Sequence, residues 1–137
     1  MARGGQVATM RETTPFELIG GAGPVRALAD RFYALLDSEA EFAPLRAVHG
    51  PDLAPIAESL AGFLSGWLGG PRNWFAEHPG VCIMRMHRIR GFTPDLAGQW
   101  SGAMRMALAA DPAIDPDLAR QIDEALTRMA YAMTVSD

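Results

Sequence analysis

The chain has no lysine and only one cysteine in 137 residues. Without lysine, Schiff-base chemistry and the phosphate-gripping lysine of a P-loop are excluded. A lone thiol, Cys82, can form neither an intrachain disulfide nor a multi-cysteine metal centre, which fits a reducing compartment. No apolar run approaches the roughly 18 residues of a membrane span. A Gly-rich phosphate loop, an HExxH pair, a clustered carboxylate pair and a GxSxG elbow are all missing, so a hydrolase or nucleotide enzyme has no visible toolkit and no residue is put forward as catalytic. Positive charge is also in deficit. Twelve cations, all arginine, face 16 acidic residues for a net charge of −4, the opposite of a nucleic-acid binder's basic balance.

What remains is rich in apolar residues. At 49% hydrophobic and 20% charged, the chain can bury one substantial core in one domain. Residues 1–13 carry Arg3 and Arg11 but no continuous apolar stretch, so they read as a flexible leader rather than a secretory signal. Met10 is an equally good starting residue. Residues 14–137 form the folded domain, expected in the cytoplasm.

The hydrophobic pattern is helical throughout, and strand signals are almost absent. A short helix over 15–19 stops at Gly20-Gly21. A second begins near Pro24 and carries Val25, Leu28, Phe32, Leu35 and Leu36 to about Asp37. After a Pro-interrupted stretch ending in His49-Gly50-Pro51, Asp52 reads as the N-cap of the clearest stripe: Leu53, Ile56, Leu60, Phe63, Leu64 and Trp67. Gly69-Gly70-Pro71 ends it, and residues 72–91 are the least regular part. Thr93-Pro94-Asp95 opens a helix bearing Leu96, Trp100, Met104 and Leu108. Asp115-Pro116-Asp117 opens another bearing Leu118, Ile122, Leu126, Met129 and Met133. Five or six helices are expected around one core.

Three residues carry the chemistry. His87 stands among Met84, Met86 and Ile89 in a largely apolar segment. A single neutral imidazole in an apolar pocket is how a protein holds haem iron on one side, although a lone histidine there is more often a satisfied core residue. Trp100 follows 13 positions later on an apolar stripe, and Tyr33 lies in Arg31-Phe32-Tyr33 on a helix that must face the core. A buried indole N–H and phenol each need a partner. Together with the histidine they suggest a pocket for a polar ligand. Cys82, between Val81 and Ile83, reads as a packing residue.

These residues, with Ile19-Gly20-Gly21, Phe63-Leu64, Trp67-Leu68-Gly69-Gly70-Pro71 and the 16-residue step from Pro71 to His87, make the chain resemble a truncated haemoglobin of group II over residues 15–133. The resemblance implies an all-α, two-over-two helical sandwich around haem b. It makes His87 the iron ligand, Tyr33 the distal tyrosine and Trp100 the indole that faces the bound gas. Phe32 corresponds to the aromatic beside the distal tyrosine, and His49 to a variable polar position. Ile56, Leu60, Phe63 and Leu64 correspond to the pocket side of the distal helix, and Trp74 to the aromatic at the haem edge. Ile56 departs from the polar residue that other globins often carry there, and Met86 departs from the family's arginine. Arg85, Arg88 and Arg90 are then the candidates to meet the propionates. Physically, the Leu53–Trp67 stripe supplies one apolar slab. Met84–His87 and the Leu96–Leu108 helix supply the other.

The implied function is reversible binding of O₂, with CO and NO as further ligands. Tight retention would suit redox chemistry on the bound ligand, such as NO oxidation or peroxide reduction, for which an electron-donor reductase would be needed. A haem-based sensor, a peroxidase using Tyr33 and His49, and a haem-free helical interaction module are the competing expectations. A monomer and a homodimer both fit.

Overall fold

The computed structural model describes residues 13–79, 87 and 91–134 and is helical, with no strand among them. Seven α-helices are described: α1 (Pro15–Ile19), α2 (Ala22–Ser38), α3 (Ala43–Ala47), α4 (Ala54–Trp67), α5 (Asn73–Glu77), α6 (Pro94–Ala109) and α7 (Pro116–Ala132). A 3₁₀ turn, Ala40–Phe42, precedes α3. His87 is itself helical.

Local chemistry explains most of the boundaries. Thr14 and Glu17 form a reciprocal capping box at α1: the threonine hydroxyl accepts from the Glu17 N–H at 3.2 Å, and the Glu17 carboxylate accepts from the Thr14 N–H at 3.1 Å. Thr93 caps α6 through the Leu96 N–H, and Asp115 caps α7 by accepting from both Asp117 and Leu118. The second helix starts two residues before Pro24, because a proline within the first turn removes an N–H that has no helical acceptor anyway. The reading of Asp52 as an N-cap is corrected. Leu53 occupies the cap position of α4, and the Asp52 carboxylate instead accepts from the Ala54 N–H at 3.1 Å, from just outside the helix. The irregular reading of 72–91 also yields one short helix, α5, where Trp74 and Phe75 pack back onto α4.

The glycine pair after α4 has a packing reason. Gly69 has φ +98°, and a Cβ on Gly70 would lie 2.5 Å from the Phe16 ring. That close approach lets the Phe16 N–H donate to the Leu68 carbonyl at 3.0 Å and clasps α1 to the end of α4.

Two layers result. In one, α2 packs along α4; in the other, α6 packs along α7; and α2 also packs against α6 between the layers. Phe32, Leu28, Leu36, Leu64, Met104 and Leu108 are buried at the centre. Arg31 pins the layers from the side: its Nε donates to the Ala107 carbonyl in the last turn of α6 at 3.0 Å, where that carbonyl end of the helix favours a cation. A smaller cluster of Phe92, Ala97, Ala130 and Met133 closes the other end, with Leu96, Trp100 and Met129 packed on it. Among the described residues no helix is long and apolar enough to cross a membrane.

Candidate functional site

Between the layers lies a cleft of about 470 Å³, within the range of small-molecule and cofactor sites. The elements converge on it because each turns one edge of its apolar stripe inward. From α4 come Ile56, Leu60 and Phe63; from α6, Leu96 and Trp100; from α7, Leu126, Met129 and Met133. Tyr33 enters from α2, His49 from the turn after α3, Trp74 from α5, and His87 and Phe92 from the far side. None of the described wall residues carries a carboxylate or guanidinium group.

Tyr33 is 7% exposed, and its burial pushes the phenol's pKa well above its ordinary value, so the group stays a hydrogen-bond donor through the neutral range. Its ring meets Phe32 edge-on at 4.9 Å and His49 edge-on at 5.6 Å. Trp100 is half-buried and packs on Phe32 with ring centres 5.3 Å apart. Tyr33 and Trp100 both line the cleft, and among the described residues no hydrogen bond engages the Tyr33 hydroxyl or the Trp100 indole N–H. Two donors therefore reach the cleft with no acceptor among the described residues.

His49 is constrained differently. Its Nδ1 lies 2.9 Å from the Leu45 carbonyl. A carbonyl only accepts, so Nδ1 carries the proton, and in the neutral ring Nε2 is left as an acceptor. His49 is thus a natural partner for a donor such as the Tyr33 hydroxyl or a water, and donates from Nε2 only when protonated. On the opposite side, the His87 carbonyl accepts from the Phe92 N–H at 3.0 Å, and the two rings meet edge-on at 5.2 Å.

Trp74 forms a buried wall, 8% exposed, held from three directions. Its indole N–H donates to the Ser59 hydroxyl at 2.9 Å, His78 stacks on it at 4.3 Å, and Phe63 meets it edge-on at 5.5 Å. His78 is exposed and also bonds the Trp74 carbonyl through Nδ1. A second, shallower depression of about 220 Å³ lies on the other side of Tyr33, between α2 and the start of α4. It is open to solvent, and its two carboxylates, Asp30 and Asp37, are already paired with Arg26 and Arg46, so it lacks the enclosure and the unspent donors of the main cleft.

The structure brings Tyr33, His49, Ile56, Leu60, Phe63, Trp74, His87 and Trp100 onto one cleft. Phe32 and Leu64 sit one layer back: both are fully buried, away from the cleft surface, and Phe32 acts through the rings of Tyr33 and Trp100 that rest on it. Met84 and Arg85, with Cys82, Met86, Arg88, Ile89 and Arg90, lie outside the described residues. The α7 wall of Leu126, Met129 and Met133 was missed, as were Phe92 and Ser59. The α7 stripe has the ordinary spacing of a core-facing helix, and nothing in that spacing separates core from cavity wall. The pairing of Ser59 with Trp74 spans 15 residues and two helices, beyond the reach of local pattern.

Residues 14–135 match the bacterial-like globin family. Among solved structures, the chain is similar to a cold-adapted truncated haemoglobin from the Antarctic marine bacterium Pseudoalteromonas haloplanktis TAC125, at 30% identity and a TM-score of 0.86, over 91% of this chain and 100% of that one. It is also similar to the group II two-on-two haemoglobin of Agrobacterium tumefaciens, at 32% identity and a TM-score of 0.84, over 91% and 96%. A thermostable haemoglobin from Thermobifida fusca is 32% identical, with a TM-score of 0.74 over 89% and 97%. No curated protein matches. With the family match spanning nearly all the described residues, the chain belongs to the bacterial-like globins, with the truncated two-over-two fold and the haem-based ligand binding that this family implies.

Proposed function

We propose that the cleft holds haem b, that His87 is its one ligand from the protein, and that the protein binds O₂, and also CO and NO, reversibly. One observation carries this: the donors Tyr33 and Trp100 share an apolar-walled, uncharged cleft with two imidazoles, His49, tied through Nδ1 to the Leu45 carbonyl, and His87 on the Phe92 side. The residues fit the group. The cleft has the volume and the two apolar sides that a flat macrocycle needs. Among the described residues no cluster of three His, Cys, Asp or Glu could hold a metal ion, so a metal here would arrive with ligands of its own.

When bound, haem would supply an iron able to bind a diatomic gas. The chain's residues do the rest. His87 binds from the Phe92 side. Ile56, Leu60 and Phe63 exclude water from the opposite side, which strengthens any hydrogen bond made there. Trp100 and Tyr33 donate to a small polar ligand, and His49 accepts from Tyr33 or from a water and so orients the phenol. Arg85, Arg88 and Arg90, all outside the described residues, are the candidates to meet the propionates.

Charge-assisted donation from two groups slows release, which suits redox chemistry on the ligand better than delivery. That chemistry would draw electrons from a reductase partner, in the cytoplasm that the lone cysteine fits. The test is an absorption spectrum of the reduced protein with and without CO. A CO-dependent shift of the main band is expected in the parent. His87→Ala should lose the five-coordinate ferrous spectrum and regain it with added imidazole. An unchanged ferrous spectrum in that variant would make His49 or His78 the ligand and overturn the assignment.

A further inference from the structure

The other side of the cleft holds a contact that the binding chemistry above does not use. Phe92 is 9% exposed, and its ring meets the His87 imidazole edge-on, with centres 5.2 Å apart and planes at 70°. Its own backbone N–H is tied to the His87 carbonyl at 3.0 Å, so the two residues are joined through both main chain and side chain. Phe92 is not loose on its outer side. It belongs to the small cluster with Ala97, Ala130 and Met133, which anchors it to α6 and to the last turn of α7. The same cluster packs against Leu96 and Trp100.

An imidazole can turn about its Cβ–Cγ bond, a broad torsion with shallow preferences. An aromatic ring packed edge-on against it restricts that turning. For a metal-ligating histidine, the groups that set ring orientation tune the bond to the metal. Resting on the assignment of His87 as iron ligand, we propose that Phe92 is a positioning residue. Its ring, braced by α7 through Met133 and Ala130, fixes the plane of the His87 imidazole and thereby the strength of the bond that His87 makes.

Two readouts test this. In the protein without cofactor, the edge-on ring should displace the His87 ring-proton resonances by its ring current. Phe92→Leu should collapse that displacement, and Phe92→Tyr, which keeps the ring, should retain it. In the reduced, haem-loaded protein, the iron–histidine stretching band in resonance Raman should shift and broaden in Phe92→Leu and stay at the parent position in Phe92→Tyr. Asp115→Ala is the control for stability, since it uncaps α7 away from the cleft and from the Phe92 cluster. It should lower thermal stability while leaving the band in place.

A parent protein with no iron–histidine band would overturn the assignment of His87, and the proposal with it. A parent band that Phe92→Leu leaves unmoved, or that Asp115→Ala moves equally, would overturn the positioning role alone. Ring-proton resonances unchanged in Phe92→Leu would show that the contact does not constrain the imidazole, with the same consequence.

Discussion

Replacing Trp100 by phenylalanine separates the two donors in the cleft. The substitution keeps an aromatic ring against Phe32, whose ring centre lies 5.3 Å away, and deletes the indole N–H. That N–H has no partner among the described residues, so its removal leaves no protein acceptor unsatisfied. The loss is therefore the bond to the ligand alone, about 1.5–3 kcal/mol for a charge-assisted hydrogen bond. If it falls wholly on release, O₂ dissociation speeds up by about 10- to 150-fold. Tyr33→Phe should do less. The Tyr33 ring is in edge contact with His49, whose Nδ1 is committed to Leu45 and whose neutral Nε2 is an acceptor, so the phenol can turn to a nearby acceptor with which a ligand must compete. Trp100 has no such alternative and stands on a helix capped by Thr93, so it is ordered in advance. The assay is stopped-flow displacement of O₂ on both variants and the parent, with CO dissociation as the control, since bound CO is less polar and should change far less. Equal and small effects would mean that packing alone retains the ligand. A larger effect at Tyr33 would reverse the assignment of the principal donor.

The buried phenol should also mark the alkaline limit of stability. Because the folded pKa of Tyr33 is raised above its unfolded value of 10.0, stability is fully present below about pH 10 and falls above it, as the unfolded chain releases a proton that the folded one keeps. The slope approaches about 1.4 kcal/mol per pH unit, and denaturant titrations from pH 9 to 11 should show it flattened in Tyr33→Phe. Asp115→Ala, which removes the acceptor for two N–H groups at the start of α7, should cost about 0.5–2 kcal/mol in chemical unfolding, and no loss would mean that water caps the helix equally well. Gly70→Ala would place a methyl 2.5 Å from the Phe16 ring and should cost about 1–3 kcal/mol by prying α1 from α4; an unchanged melting temperature would show that the clasp gives way freely. Cys82→Ser should leave ligand binding within a few-fold of the parent, and rapid labelling of the native thiol would count against a packing role.

The all-helical class, and the start of nearly every long helix, were legible in the chain itself. Caps such as Thr93 and Asp115 act within one turn, and a stripe of period 3.6 shows which face is buried whatever covers it. That Tyr33, His87 and Trp100 share one pocket was legible too, because residues with costly polar groups on apolar stripes stand out without any knowledge of the fold. Asp52 shows where local reasoning stops: a good capping residue one step outside the helix end satisfies the same N–H groups without being the cap. Only the tertiary structure could decide which apolar residues line the cavity and which fill the core. Leu64 and Leu60 share one stripe, yet one is buried at the centre and the other faces the cleft. Only the packed chain, likewise, could bring Ser59 to Trp74 or set Phe92 on His87 with Met133 behind it. Helix formation is governed by neighbours three and four residues away. The cavity is the space left where four helices fail to close, and its shape belongs to their mutual arrangement.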